Sequence, residues 1–165
     1  MTIRQFERPD LAWAQELNRR EVPFVNFLNL ADFEALIMRS AYARLFLNSD
    51  ENPIGLLVGF LPGAAYQSAN YRWISDRFDD FFYIDRIIVD AAERGQGVAR
   101  RLYDDAAIFA VENGFSALMC EVNSKPANDV SLTAHAQMGF EAVGRQSTDN
   151  DGEKEVTYLR KALMG

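Results

Sequence analysis

The sequence holds one cysteine, one histidine and only three lysines in 165 residues. A lone cysteine, Cys120, has no partner for an internal disulfide, which excludes a disulfide-stapled scaffold and fits a reducing compartment. It lies in an apolar run over 117–122, where a thiol acts as core filler. No window approaches 18 uncharged apolar residues, and the first twenty positions hold no hydrophobic signal stretch. The expectation is a soluble cytoplasmic protein with no membrane partner. Repeats, low-complexity tracts and linkers are missing too, so one domain is expected over 1–165. Positive charge is scarce: 17 Lys and Arg stand against 24 Asp and Glu, a net −7, which argues against a nucleic-acid binder because phosphate backbones demand a basic face. All but Lys125, Lys154 and Lys161 of those cations are arginines, which suit planar, bidentate contacts with carboxylates and phosphates.

What is present is an ordinary globular composition, 48% apolar and 25% charged, on a chain long enough to bury a core. Residues 2–8 alternate apolar and polar (Ile3, Phe6) and predict a first strand. Pro9 and Asp10 open a helix with Leu11, Ala14 and Leu17 on one face, and a second helix is predicted over 31–41. The link at 22–28 is unusually apolar, a pattern that fits a pocket or an interface. Strands over 43–48 and 53–61 flank a polar turn. Residues 64–80 mix aromatics with charges at no clear period and read as a long ordered excursion, with Trp73 as packing. The run 81–89 is the strongest strand and is predicted to be central. A helix over 97–113, a buried strand over 116–122, a helix over 129–138 and two strands over 140–147 and 155–160 complete the order β α α β β β α β α β β. Strand–helix–strand units demand parallel pairing and hairpins antiparallel pairing. The fold class is therefore α/β (α+β): a mixed, mostly antiparallel sheet of six to seven strands with helices on both faces.

The most informative stretch is Arg94-Gly95-Gln96-Gly97-Val98-Ala99-Arg100. A buried strand runs into a two-glycine turn that opens a helix, and the free N–H groups of such a helix start bind a phosphate. The P-loop pattern is absent, and the dinucleotide fingerprint fails at its last position, where Arg100 stands in place of a third small residue. The pattern Arg/Gln-x-x-Gly-x-Gly/Ala fits throughout.

With that motif the chain resembles the GCN5-related N-acetyltransferase (GNAT) superfamily. The resemblance extends to the strand and loop containing Glu121, Val122, Asn123 and Asn128, and to the closing segment that runs from His135 to Gly139-Phe140. It implies a GNAT fold and transfer of an acetyl or short acyl group from acetyl-CoA to a primary amine, without a metal. The backbone of Ile87, Ile88 and Val89 is implied to hold the pantetheine arm, and the amides of Gly95, Gln96, Gly97, Val98, Ala99 and Arg100 the pyrophosphate. Arg94 is the motif's first residue, Arg100 and Arg101 are placed to add positive charge, and Asn128 and Asn123 are candidates for the pantetheine arm.

Members often use a tyrosine four residues before Gly-Phe as the acid that protonates the departing thiolate; here that position is His135, whose imidazole titrates near neutrality. For the base, Asp85 and Glu121 are rivals, with water as the remaining possibility. Residues two apart on a strand share a face, so Asp85 is expected to point with Tyr83, Ile87 and Val89, and away from Arg86. Phe24, Phe27, Tyr71 and Asp85 are the acceptor-side candidates, and a homodimer is a possible assembly. Since the usual tyrosine is missing, the competing reading is an acyl-CoA-binding sensor without catalysis.

Overall fold

The computed structural model describes residues 1–164. A single sheet of seven strands is built from β1 (Thr2–Gln5), β2 (Tyr42–Leu47), β3 (Pro53–Phe60), β4 (Phe82–Val89), β5 (Ala117–Lys125), β6 (Glu141–Ser147) and β7 (Glu155–Ala162). The spatial order is β1-β2-β3-β4-β5-β7-β6. Every neighbouring pair is antiparallel except β4 and β5. This is the mixed, mostly antiparallel sheet expected from the sequence.

Two cores sandwich the sheet. On one face lie α1 (Leu11–Arg20) and α2 (Leu30–Arg39), which bury Leu11, Ala14, Leu17, Phe33 and Leu36. With them lies α3 (Ala69–Ser75), a helix of under two turns inside the segment read as an irregular excursion. Seven residues are too few to show a helical period, and only Tyr71 and Ile74 are buried in it. The other face carries α4 (Val98–Glu112), which buries Val98, Leu102, Tyr103, Ala106 and Ala110, and α5 (Asp129–Gln137). No helix among the described residues is long and apolar enough to cross a membrane.

Two irregularities in β4 create the site. First, β4 and β5 pair only at Phe82 with Leu118 and Tyr83 with Met119. Beyond that point β4 stays with β3 and β5 with β7, so the two strands part and open a wedge in the middle of the sheet. Second, the β3–β4 register steps from Val58 opposite Arg86 to Gly59 opposite Ile84, leaving Asp85 as the extra residue of a β-bulge. Gly59 permits this close approach, because a Cβ there would lie 2.3 Å from the Phe82 ring and 2.8 Å from the Tyr83 carbonyl oxygen.

The bulge flips the alternation of side chains. Tyr83 and Ile88 both face the α1–α3 core, while Ile84, Ile87 and Val89 face the α4–α5 core. This corrects the strict two-residue alternation, which put Asp85 on one face with Ile87 and Val89 and Arg86 on the other. Asp85 and Arg86 instead form a buried ion pair, Arg86 Nε to Asp85 Oδ2 at 2.7 Å.

Candidate active site

The glycine loop begins where β4 ends. A short 3-10 turn at Ala91–Glu93 leads to Gly95 and Gly97, at φ +79° and +78°, the left-handed region that favours glycine. Gly97 caps α4, and the N–H of Arg101 bonds its carbonyl at 3.1 Å. The amides of Val98, Ala99 and Arg100 before it have no acceptor within the helix, so they form the open donor end of α4. The Val98 side chain is buried in the core beneath the loop, leaving its amide as its contribution to this end. Arg94 pairs with Glu21 at 2.5 Å and ties the loop to the end of α1, while Gln96 donates to Glu93 at 3.1 Å. Arg100 is exposed and forms no ion pair among the described residues. Arg101 turns away and lies over the Phe46 ring, 4.9 Å from its centroid.

From this loop a cleft of about 1370 Å³ follows the wedge between β4 and β5. Ile87, Ile88 and Val89 form one wall; their partners Leu57, Leu56 and Gly55 occupy only the β3 side. Their other backbone edge has no strand partner, because β5 has parted from β4 there. Asn123 and Asn128 lie on the opposite wall. The Asn123 carbonyl accepts from the Asn128 N–H at 3.0 Å, and the Asn128 side chain caps α5 by accepting from the Ser131 N–H at 3.3 Å.

On the α1–α3 side of the wedge the cleft reaches Asp85 and Glu121. Asp85 is spent on partners: Arg86 binds one oxygen, and the Tyr66 hydroxyl donates a short hydrogen bond to the other. Arg86 also donates to Asn18 Oδ1 at 2.6 Å and Asn26 Oδ1 at 2.9 Å, which fastens the bulge to α1 and its following link. Glu121 has no ion-pair partner among the described residues. Its donors are neutral: the Tyr83 hydroxyl, 2.9 and 2.8 Å from its two oxygens, and Asn70 Nδ2 at 3.0 Å. Loss of water around the carboxylate and the nearby Asp85 charge push its pKa up from 4.5 to about 8, against the pull of Tyr83, Asn70 and Arg86. A carboxylate so poised, beside a cleft, has the properties of a general base.

The sequence matches the acetyltransferase (GNAT) family model over residues 10–140. The chain belongs to the GNAT family. Solved structures agree in fold. Ard1 from Thermoplasma volcanium is 16% identical, with a TM-score of 0.78 over 99% of this chain and 98% of that one. The ribosomal-protein-S18-alanine N-acetyltransferase of Escherichia coli is 16% identical, with a TM-score of 0.73 over 99% and 95%. Naa20 of Chaetomium thermophilum, solved with a bisubstrate analogue, is 18% identical, with a TM-score of 0.75 over 99% and 87%. No curated protein matches the sequence significantly.

As a GNAT acetyltransferase, the chain draws on a family whose cosubstrate is acetyl-CoA, and two observations fit that molecule: the open amide end of α4 and the unpaired edge of β4. The position where the resemblance implies a tyrosine acid is filled differently. His135 is buried, and its Nδ1 lies 2.7 Å from the Ser131 carbonyl oxygen. A carbonyl only accepts, so Nδ1 carries the proton, and Nε2 is left to accept from the Tyr103 hydroxyl at 2.7 Å. Burial lowers its pKa against the pull of the Ser131 carbonyl, which favours the neutral ring. Both nitrogens are engaged inside the protein, an arrangement suited to anchoring α5 on α4. Replacing His135 by Ala is expected to cost about 2–4 kcal/mol of stability, read by urea denaturation, because Tyr103 and Ser131 lose buried partners and a cavity opens.

Among the acceptor-side candidates, Phe24 is half-exposed at the cleft wall, whereas Phe27 lies outside it. Tyr71 corrects the sequence expectation. It is buried and away from the cleft, its hydroxyl donating to the Leu61 carbonyl at 2.5 Å and accepting from the Ala64 N–H at 3.1 Å. Both bonds hold the bend after β3. Tyr66, stacked on Phe60 with centroids 4.1 Å apart, faces the cleft in its place. Tyr66 and Asn70 lie in the excursion that the sequence offers on the acceptor side, whereas Tyr83 and Tyr158 are not candidates in the sequence. The one available signal was the density of tyrosines around the strongest strand.

Proposed function

We propose that the protein is an N-acetyltransferase that moves the acetyl group of acetyl-CoA to a primary amine by direct attack in a ternary complex, with Glu121 as general base. The observation that carries this reading is the Glu121 carboxylate at the cleft, bonded to the neutral donors Tyr83 and Asn70 and without a cationic partner of its own, where burial and Asp85 push its pKa up to about 8. An amine reaches the site mainly as its ammonium form, since alkylammonium groups titrate near ~10. An ordinary carboxylate is too weak a base to deprotonate it efficiently, and a raised one shortens the gap.

In this scheme Asp85, held by Arg86 and the Tyr66 hydroxyl, places its charge beside Glu121. Acetyl-CoA supplies the thioester. The amine nitrogen bonds to its carbonyl carbon and the carbon–sulfur bond breaks. Of the two protons the ammonium loses, one leaves through Glu121 and the other ends on the CoA sulfur. His135 acts as an anchor for Tyr103 rather than as the acid, since its one N–H is committed to Ser131. Cys120 is unsuited to carry an acyl group, because it is buried and burial pushes its thiol pKa up.

Initial rates with both substrates varied are expected to give intersecting lines, with kcat/KM for the amine rising as the pH climbs through about 8. Parallel lines, or a rate insensitive to pH between about 6 and 9, would overturn the scheme.

A further inference from the structure

We propose that Asn70 is the positioning residue that holds the Glu121 carboxylate at the cleft through a direct hydrogen bond, and that Tyr158 holds Asn70 in place for the task. The proposal rests on Glu121 as the base. Its elements come from three strands and one short helix. Ser68 caps α3 by accepting from the Tyr71 N–H at 3.3 Å. Trp73, on the next turn, stacks on the Tyr158 ring with centroids 3.9 Å apart and planes 6° from parallel. Gly144 on β6 leaves the space for that indole, since a Cβ there would lie 2.4 Å from it. Asn70 is three residues before Trp73, so both share the face that docks on β7.

The amide then bridges two partners with a fixed sense. An ionised carboxylate only accepts hydrogen bonds, so it requires the NH₂ end, and Asn70 Nδ2 lies 3.0 Å from Glu121 Oε1. The Tyr158 hydroxyl donates to the other end, Asn70 Oδ1, at 2.8 Å, and also lies 3.0 Å from Gln146 Oε1. A flipped amide would face an oxygen to the carboxylate and leave the phenol only Gln146 Oε1 to donate to. The carboxylate sets the sense of the amide, and the Tyr158 hydroxyl, bonded to Asn70 Oδ1, holds it there.

Other groups face the same carboxylate. From β4 come Tyr83, which donates to it, Asp85, which repels it, and Arg86, which attracts it. Tyr66 adjoins Asp85, while Tyr103 and Cys120 lie close enough to feel the Glu121 charge. Asn70 and Tyr83 are the only direct donors among the described residues. Without Asn70, one donor is left to oppose dehydration and Asp85, and the Glu121 pKa must rise further.

The test is a carbon-13 titration of the glutamate side-chain carboxyls in the full chain, with the Glu121 signal assigned by its loss in Glu121→Gln. In Asn70→Leu the midpoint should move up by about one pH unit, the worth of one hydrogen bond to a charge. Tyr158→Phe, which keeps the ring that Trp73 stacks on, should move it the same way by less. Activity provides the second readout: Asn70→Leu should lower kcat/KM about tenfold at pH 7 and under about threefold at pH 9.5. An unmoved midpoint, or an equal loss of rate at both pH values, would overturn the proposal. Full activity in Glu121→Gln would instead overturn the base assignment, whatever the titration of Glu121 shows.

Discussion

Replacing Glu121 by Gln lowers kcat/KM for the amine by about 10²–10⁴-fold, the range contributed by a general base, and leaves acetyl-CoA affinity unchanged. Gln keeps the shape and can still accept from Tyr83, so binding of the CoA moiety along β4 is untouched. The same substitution has an opposite effect on stability. The folded pKa of Glu121 is raised from 4.5 to about 8, so the native state keeps a proton that the unfolded chain releases within that window. Stability from this group is therefore present at low pH and falls as pH rises through the window. Gln carries no such penalty. The variant should unfold at a higher temperature than the parent at pH 9, by about 3–8 °C, with the difference much reduced at pH 5. Calorimetric scans at the two pH values check the sign. A variant less stable than the parent at pH 9 would contradict the raised pKa.

Replacing Gly97 by Glu should abolish acetyl-CoA binding, with Kd raised more than about 100-fold. The residue caps α4 at φ +78°, where an L side chain costs roughly 1–2 kcal/mol. Its carboxylate would also stand at the helix end whose amides are free for a phosphate. Gly97→Ala separates the two causes. A Cβ at this position meets nothing within 4 Å, so Ala introduces backbone strain without crowding or charge. Isothermal titration should show the Ala variant binding measurably and the Glu variant not at all. Unchanged affinity in the Glu variant would refute the assignment of the loop.

Much of the fold was legible because the strands announce themselves locally. The runs that became β4 and the first half of β5 are mostly apolar, and the turn signals at Pro62-Gly63, Gly114 and Gly139 mark true element ends. Glu121 stands in the sequence as a rival to Asp85 for the base, on the strand next to it. The glycine loop was legible because positive φ at Gly95 and Gly97 leaves little choice of residue. What escaped was non-local. The bulge at Asp85 arises where Gly59 lets β3 crowd against Phe82 and Tyr83, a contact between residues over twenty positions apart. Strict alternation therefore misplaced Asp85 and Arg86.

The Asn70–Tyr158–Glu121 arrangement was hidden in a similar way. A helix of seven residues carries no period, and its docking depends on an indole fitting over a glycine two strands away. His135 had the opposite problem. Its position in the resemblance suggests an acid, whereas its hydrogen bonds to the Ser131 carbonyl and to a phenol on another helix cannot be read from the sequence. Tyr71 and Tyr66 show how burial sorts neighbours of the same type: the first secures a bend and the second faces the cleft.

Amine-dependent release of free CoA thiol tests acetyl transfer to an amine most directly. The protein is mixed with acetyl-CoA and a broad panel of primary amines at pH 8.5, and thiol and amide are both quantified. At least one amine should give thiol and N-acetyl product in equal amounts, and Glu121→Gln should suppress both. Acetyl-CoA binding with no thiol released by any amine would contradict the account and mark the chain as an acyl-CoA-binding module.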